Sequence, residues 1–320
     1  MEKRENKGKK FMHIRIVGVP SDLGASCRGS DLGPNAIRYV RLPSAQEPKK
    51  EVDLIEKLHE LGYTVSDEGN LPVPPPEPLP YKNEKLKNLD PILAVCETLA
   101  EVVECICRAE DFPLVIGGDH SISVGSITGV AKARGKIGVI WVDAHGDFNT
   151  DKISPSGNIH GMPLAALAGI GNERLVNLGD VAPKLDPAHI VVIGARALDP
   201  GEREMLRKAR VSVFTMKDID RQGISKTIAQ ALEITTSGTN GLHVSFDIDA
   251  LDPREAPGVG TPVRGGLSYR EARLAMELIA DSGKLISLDM VEVNPVLDQR
   301  NRTARAAAEL ILAMLGRRLF

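Results

Sequence analysis

The chain has 320 residues, of which 42% are hydrophobic and 26% are charged, so its composition is that of a globular protein and excludes a disordered chain. A net charge of −3 and an aromatic content of 3% provide neither a basic field nor stacking platforms, and we expect no nucleic-acid partner. Four cysteines are too few for a disulfide scaffold, and no apolar run approaches the roughly 20 residues of a membrane span. We therefore expect a cytoplasmic protein without a membrane partner.

Seven short apolar runs recur along the chain. Most are apolar at successive positions, as is typical of parallel strands that are covered on both faces. The runs are HIRIVGV (13–19), PLVIG (113–117), IGVIWVD (137–143), HIVVIGA (189–195), VSVFT (211–215), LHVSFD (242–247) and KLISLDMV (284–291). Helical patterns lie between them, and this alternation predicts an α/β sandwich with right-handed crossovers.

Helices are predicted over residues 90–108, 268–281 and 303–315. In the first of these, Asp90 is predicted to be the N-cap because Pro91 follows it at the first helical position. Apolar residues then recur on one face of the helix, which indicates burial of that face.

Two segments are predicted to lie outside the regular elements. The stretch LPVPPPEPLP (71–80) excludes a helix or a central strand, so we expect a rigid surface connector, with a polyproline ligand for a partner as the alternative. Residues 1–10, MEKRENKGKK, are basic and polar, and no apolar region of a secretory signal follows them. We expect a disordered tail over 1–10 and a single domain over 11–320.

Three of the predicted strands run directly into aspartate and histidine residues. PLVIG is followed by GDHS (118–121), IGVIWV by DAHGDFN (143–149), and LHVSF by DIDALDP (247–253). Ligands of open parallel sheets bind beyond the carboxyl ends of the strands, so these side chains converge if the three strands are neighbours. Because alternate residues of an extended segment point the same way, the spacing of two within each motif directs its side chains to one point.

Converging carboxylates repel one another, and bound cations relieve that repulsion. We assign Asp119 to capping the following helix, which leaves six candidate ligands: His120, Asp143, His145, Asp147, Asp247 and Asp249. Six ligands suit two ions that share bridging carboxylates better than one catalytic ion with open positions. Oxygen ligands with some imidazole and no thiolate favour manganese, with zinc, iron and cobalt as alternatives. Taken alone, each motif is also compatible with a polar turn or a helix-entry loop.

The motifs GGDHS, DAHGDFN, SGNIHGMP, SFDIDALDP and MVEVNP resemble those of the ureohydrolase superfamily, and most closely those of the arginase family. The likeness extends from GVPSDLGASCRGSDLGPNAIRY (18–39) to the final helix. It implies a single-domain three-layer α/β/α sandwich with a mainly parallel eight-stranded sheet, assembled as a homo-oligomer, either a trimer or a hexamer. It also implies two Mn²⁺ per chain and hydrolysis of L-arginine to L-ornithine and urea, in which a metal-bridging hydroxide attacks the guanidinium carbon.

The resemblance also implies a role for each site residue. One manganese is held by His120, Asp143, Asp147 and Asp247, and the other by Asp143, His145, Asp247 and Asp249. Asp147 carries a proton to the leaving amine, His160 is a proton shuttle, and Glu292 pairs with the guanidinium. The remaining substrate contacts are expected from Asn149, Ser154 and Ser156 at the α-carboxylate, from Asp199 and Glu202 at the α-amino group, and from Thr261. Ala197 departs from the family, because some arginases have an aspartate in this stretch.

Several alternatives remain open at this point. The nearest is another amidinohydrolase: agmatinase, guanidinobutyrase or formimidoylglutamase. A second is a zinc amide hydrolase of the deacetylase kind, which needs one catalytic metal, and a third is a metal-stabilised binding protein without turnover. Without the resemblance, ordinary loop capping accounts for Asn149, Ser156 and Asp199, and a hydrogen bond to the backbone accounts for His160.

Overall fold

The computed structural model describes residues 13–47 and 49–317, so the tail predicted over 1–10 lies outside the described residues. The strands are β1 (His13–Val19), β2 (Leu42–Pro43), β3 (Glu51–Val52), β4 (Thr64–Asn70), β5 (Phe112–Gly117), β6 (Gly138–Val142), β7 (Ile190–Ala195), β8 (Ser212–Thr215), β9 (Leu242–Asp247) and β10 (Leu285–Val291). The helices are α1 (Gly33–Tyr39), α2 (Leu54–Glu60), α3 (Leu89–Arg108), α4 (Ser123–Arg134), α5 (Pro163–Leu167), α6 (Glu173–Val176), α7 (Pro200–Ala209), α8 (Met216–Gln222), α9 (Ile224–Thr236), α10 (Tyr269–Asp281) and α11 (Arg302–Met314).

Eight of the strands form one sheet in the order β4-β1-β5-β10-β9-β6-β7-β8, and every neighbouring pair is parallel. The remaining strands, β2 and β3, form a short antiparallel pair. The predicted fold class is therefore confirmed, and all seven predicted strands are present. The four central strands β5, β10, β9 and β6 place their carboxyl ends side by side at one edge of the sheet.

The uninterrupted apolar runs are explained by two hydrophobic clusters, one on each face of the sheet. In β6, Ile140 and Val142 pack in one cluster with residues of α9, α10 and α11. Val139 and Trp141 of the same strand pack in the other cluster with residues of α3, α4 and α5. Because both faces are covered by helices, neither face of the strand carries the polar residues that an alternating pattern would need.

Within the eight-stranded sheet, the strand that the sequence pattern does not indicate is β4, whose sequence is TVSDEGN. It lies at the edge of the sheet and pairs only with β1, so a polar sequence is tolerated there. The buried Arg38 of α1 holds it in place: its Nε and Nη2 donate to the two carboxylate oxygens of Asp67 at 2.9 Å each, and Nη2 also donates to Gly69 O at 2.8 Å. Polar contacts thus stabilise this strand where apolar burial does not.

The N-cap predicted for α3 is wrong. The helix begins at Leu89, and Asn88 precedes it in a left-handed conformation with φ 58°. Asp90 lies within the first turn, where its carboxylate forms ion pairs with Lys82 and Arg174. Residues 71–80 connect β4 to α3 without forming a helix or strand, as predicted. No helix within the described residues combines the length and the apolar character that crossing a membrane requires.

Candidate active site

The loops after β5, β6 and β9 form the floor of the site at the carboxyl edge of the sheet. After β5, the chain turns at Gly118, where a Cβ would lie 1.8 Å from Ser21 O, so only glycine fits. The side chain of Asp119 then accepts hydrogen bonds from Ser121 N at 2.9 Å and from Gly24 N at 2.8 Å. Asp119 therefore caps the turn that follows it, as predicted, and leaves the next residue, His120, at the site.

The six predicted ligands lie together. His120 Nδ1 is 3.1 Å from Asp143 Oδ2, 3.0 Å from Asp147 Oδ2 and 3.4 Å from Asp247 Oδ2. On the other side of the site, His145 Nδ1 is 3.3 Å from Asp143 Oδ1 and 3.1 Å from Asp249 Oδ2. Two groups with metal-ligand spacing result, one of His120, Asp143 and Asp147 and one of Asp143, His145 and Asp249. They share Asp143, so the structure contains a candidate binuclear site.

An orphaned atom shows that the cluster fits a cation. His120 Nδ1 is buried, faces three carboxylate oxygens and makes no hydrogen bond, although its other ring nitrogen, Nε2, lies 2.8 Å from Ser245 Oγ. If Nε2 carries the proton, Nδ1 presents a lone pair to the carboxylates, which is an arrangement that a metal ion satisfies. Carboxylate oxygens with imidazole and no thiolate suit a divalent ion such as manganese.

The charges of the cluster are unbalanced. Burial, together with the charge of Asp143, raises the pKa of Asp147 to about 7. Burial and neighbouring carboxylates also raise the pKa of Asp247 well above its ordinary value. Among the described residues, the four aspartates predicted as ligands form ion pairs only with His120 and His145. Negative charge is therefore in excess, and a bound cation would relieve it.

His160 and Glu292 form a second pair beside the cluster. Glu292 Oε1 accepts hydrogen bonds from His160 Nδ1 and from His120 N, each at 2.9 Å. Burial opposes protonation of His160, but Glu292 outweighs it and raises the histidine pKa to about 9. Glu292 and Asp147 both adopt positive φ, 64° and 48°. Left-handed backbone at non-glycine residues is uncommon and often accompanies function.

A cavity of about 420 Å³ opens above this floor, a volume within the range of small-molecule sites. Most of the predicted site residues line it: His145, Asp147, Asn149, Ser154, Ser156, His160, Asp199, Glu202, Asp247 and Thr261. Buried beneath it are His120, Asp143, Asp249 and Glu292. The structure thus brings the predicted residues together around one cavity, although their assigned roles stay predictions.

The wall residues already make contacts within the protein. Asn149 Nδ2 donates to Asp199 Oδ2 at 3.0 Å, while the buried Asn149 Oδ1 has no hydrogen-bond partner. Glu202 accepts from Phe148 N at 2.9 Å and from Asp199 N at 3.1 Å, and burial raises its pKa to about 7. Thr261 Oγ1 donates to Asp249 Oδ2 at 3.0 Å, so its hydroxyl faces the floor of the site.

The two serines of the wall hold its loop. Ser154 Oγ accepts from Gly157 N at 3.0 Å, and Ser156 Oγ accepts from Asn158 N at 3.2 Å. Both residues line the cavity while they make these short-range bonds. Loop capping, the alternative raised from the sequence, is therefore present alongside exposure to the cavity.

Comparison with known proteins decides the family. The model of the arginase family matches residues 12–316. The chain is 50% identical to the arginase of Bacillus subtilis (strain 168) over 307 residues, which cover 96% of this chain and 98% of that protein. The chain belongs to the arginase family. The expected resemblance is therefore confirmed over nearly the whole chain.

Solved structures of the arginase family agree with this assignment. The native arginase of Bacillus caldovelox matches with a TM-score of 0.91 and 44% identity, covering 97% of this chain and all of that one. A more distant neighbour, the agmatine ureohydrolase of Thermoplasma volcanium, matches with a TM-score of 0.70 and 25% identity, covering 97% and 91%. The fold is common to both proteins, but the sequence is far closer to the arginase.

Some residues of this arginase-family site are not among the site residues predicted from the sequence. Asn158, Gly161, Ala197 and Leu198 also line the cavity. Ser245 contacts His120 from inside β9. The last could have been found, because histidine, serine and aspartate occupy alternate positions 243, 245 and 247 of an otherwise apolar buried strand.

Proposed function

We propose that this protein is a binuclear manganese hydrolase that converts L-arginine to L-ornithine and urea. The observation that carries the proposal is the pair of His/Asp groups that share Asp143 beneath a cavity of about 420 Å³. The identity of 50% to a bacterial arginase supports the same reaction. The deacetylase-like alternative needs only one catalytic metal, and two ligand groups argue against it.

We assign one manganese to His120, Asp143, Asp147 and Asp247, and the other to Asp143, His145, Asp247 and Asp249. Divalent ions in this site would lower the pKa of water and so supply a nucleophile near neutral pH. Support for Asp247 as a shared ligand comes from its exposure to the cavity and its 3.4 Å approach to His120.

The protein groups beside the ligands handle protons and orient the substrate. Asp147 lines the cavity, and we assign its carboxylate the transfer of a proton to the leaving amine. His160 is held by Glu292 through Nδ1, and a pKa of about 9 keeps its ring protonated near neutral pH, so we assign it the donation of a proton in its role as shuttle. Glu292 also supplies negative charge beside the proposed guanidinium position.

The far wall of the cavity fits the amino-acid end of arginine. Asp199 and Glu202 are the acids proposed to meet the α-ammonium, and Asn149, Ser154 and Ser156 are the neutral donors proposed to meet the α-carboxylate. Thr261 is the remaining proposed substrate contact, although its hydroxyl already pairs with Asp249. Agmatine lacks the carboxylate, so it would leave the neutral donors unpaired and lose several powers of ten in specificity.

We also propose a cytoplasmic homo-oligomer, a trimer or hexamer. Support comes from the family resemblance and from exposed arginines of the last helix, Arg302 and Arg305, whose helix buries its apolar face within the same chain. Light scattering of the purified protein measures the mass; a monomer would contradict the assembly and leave the reaction untouched.

The test is urea release from L-arginine and from agmatine by the purified protein with Mn²⁺. We expect a much higher kcat/KM for L-arginine and loss of activity after chelator treatment. The matched variant Asn149→Ala should lower kcat/KM for arginine while changing that for agmatine little, because only arginine has the carboxylate. Equal rates on both compounds, or preference for agmatine, would overturn the substrate assignment and leave the fold intact.

A further inference from the structure

A buried polar cluster lies behind His120, on the side away from the cavity. It is built from β9, β10 and the first two turns of α4, and each of its side chains is at most 1% exposed. Its members are Ser123, Ser126, His243, Ser245, Ser287 and Asp289. So many polar groups in an apolar core are costly unless their hydrogen bonds are made.

Hydrogen bonds run through this cluster from His120 to a carboxylate. His120 Nε2 lies 2.8 Å from Ser245 Oγ, and Ser245 Oγ lies 3.1 Å from Ser123 Oγ. Ser123 Oγ donates to Asp289 Oδ2 at 2.9 Å. Ser126 Oγ donates to the same oxygen at 2.5 Å but lies outside this path.

The carboxylate end fixes the direction of every proton in the path. The Ser123 hydroxyl has one proton and donates it to Asp289 Oδ2. Ser123 Oγ is then an acceptor for the hydroxyl of Ser245, and Ser245 Oγ is in turn an acceptor for the N–H of His120. His120 therefore carries a proton on Nε2, which leaves Nδ1, the nitrogen that faces Asp143, Asp147 and Asp247, as the one available to a metal ion.

We propose that Asp289 is a positioning residue for the metal site, acting through Ser123 and Ser245 to hold His120 in the tautomer that binds the ion. The proposal rests on the proposed function, because it assigns His120 to one of two manganese ions. A ligand histidine generally donates its second ring nitrogen to a neighbouring acceptor, and loss of such a contact costs about 10- to 100-fold in metal affinity.

The effect is specific to one side of the binuclear site. His145, the histidine of the other group, lines the cavity with 28% of its side chain exposed, and the cluster lies on the His120 side. His243 is the other titratable group beside Asp289: its Nε2 lies 3.3 Å from Asp289 Oδ2 without a hydrogen bond, and its Nδ1 pairs with Ser287 Oγ at 2.8 Å. Neither contact leads to His120.

Two serines of α4 provide a matched pair of variants. Ser123→Ala and Ser126→Ala each remove one buried hydroxyl that donates to Asp289 Oδ2, but only Ser123 lies on the path to His120. In Ser123→Ala the Ser245 hydroxyl is free to donate to His120 Nε2, which would place the ring proton on Nδ1 against the metal. Direct replacement of Asp289 is avoided because it disturbs both serines.

The experiment measures Mn²⁺ affinity by titrating metal-stripped full-length protein against a chelating indicator, and it measures thermal unfolding of the same stripped samples. We expect Ser126→Ala to bind two Mn²⁺ ions, each with an affinity similar to that in wild type. Ser123→Ala should bind one of its ions about tenfold more weakly, while the stripped forms of the two variants unfold at similar temperatures. Adding His145→Ala should lower the affinity for the second ion, the one whose binding Ser123→Ala leaves unchanged.

The outcomes separate this inference from the proposed function. If wild type binds two ions and releases urea, but Ser123→Ala and Ser126→Ala have equal affinities, the positioning role is overturned and the arginase activity stands. If both variants lower the affinity for both ions equally, the cluster acts only through general stability, and the positioning role is again overturned. A wild type that binds no second ion contradicts the proposed function itself.

Discussion

Two regions of the molecule bury charged side chains, and they balance that charge in opposite ways. At the edge of the sheet, buried Arg38 pairs with Asp67, and buried Lys57 pairs with Glu60. We call these two contacts the edge ion pairs. At the carboxyl edge of the central strands, four buried aspartates meet only two imidazoles among the described residues.

The comparison indicates what each region does. A buried ion pair satisfied within the chain contributes to the fold, and breaking it leaves an uncompensated charge. Among the four aspartates, burial and neighbouring carboxylates raise the pKa values of Asp147, Asp247 and Asp249, so repulsion within the group is only partly relieved by the described residues. Buried groups with shifted pKa values are concentrated at functional sites. The edge ion pairs are therefore expected to affect stability alone, and the aspartates to affect activity and metal binding.

The largest expected effect is the loss of turnover in Asp147→Asn. Removing a group proposed to bind metal and move a proton should lower kcat by about 10²- to 10⁴-fold. The pKa of Asp147 is raised to about 7 by burial and by Asp143, so above that pH its ionised form opposes folding of the metal-free protein. The metal-free variant should thus be at least as stable as wild type at pH 8. Urea release measures turnover, and thermal unfolding measures the stability of the metal-free protein. Unchanged turnover would contradict the role assigned to Asp147.

The reverse pattern is expected for Arg38→Ala. It leaves Asp67 and Asn70 without their buried partner and should lower the free energy of unfolding by about 3 kcal/mol. Because the hydrogen bonds of Arg38 reach no residue that lines the cavity, kcat for arginine should be unchanged. The matched control is Arg15→Ala, which breaks the more exposed pair with Glu68 and should cost about 0.5 kcal/mol. Urea denaturation compares the two; equal losses would contradict the distinction.

Stabilisation by manganese should depend on the aspartates of the candidate site and not on the edge ion pairs. Binding to the native state at 100 times Kd adds about 2.7 kcal/mol to the free energy of unfolding. We expect Arg38→Ala to keep this metal-dependent increment, and Asp249→Asn to lose most of it because Asp249 belongs to a candidate ligand group. Thermal unfolding with and without Mn²⁺ gives the increment. An equal increment in both variants would show that the metal binds elsewhere.

The smallest effect is expected at Glu60, and it depends on pH. Burial alone would raise the pKa of Glu60, but hydrogen bonds from Lys57 and Ser44 outweigh it and lower the pKa to about 2. A lowered carboxylate pKa stabilises the fold above the ordinary value of 4.5, and that contribution is lost as the pH falls toward 2.

The corresponding variant is Glu60→Gln. It should be about 2 kcal/mol less stable than wild type at neutral pH, because Lys57 loses a charged partner. The difference should shrink between pH 4.5 and 2, where wild type also loses the charge. Urea denaturation at several pH values measures it. A difference that does not change with pH would assign the effect to packing.

The sequence predicts the centre of the fold better than its edge. The apolar runs locate the buried strands because burial on both faces demands apolar residues at every position, as in β6. The edge strand β4 escapes this reasoning, since TVSDEGN is held by Arg38 from a distant helix. Local sequence predicts Asp90 as the N-cap of α3, whereas the residue before the helix is Asn88, two positions earlier, whose side chain donates to Leu23 O and accepts from Glu77 N.

In the site, as in the fold, features set by nearby residues are predicted from the sequence, and contacts between distant segments are not. Spacing within each motif and position after a strand predicted that His120, Asp143 and Asp249 converge, and the structure brings them together. Their ligand roles stay predictions. The contacts of Ser245 and Asp289 with residues after β5 depend on which strands are neighbours, and β10 lies beside β5 only because the strand order departs from the chain order.

That strand order determines when the ligand set can exist. β10, the last strand of the chain, lies between β5 and β9, which are followed by His120 and Asp247. A nascent chain that has emerged only as far as residue 284 contains all six predicted ligands but lacks the strand that joins the two halves of the sheet. The loops after β5 and β9 are therefore held side by side only once β10 has joined the sheet.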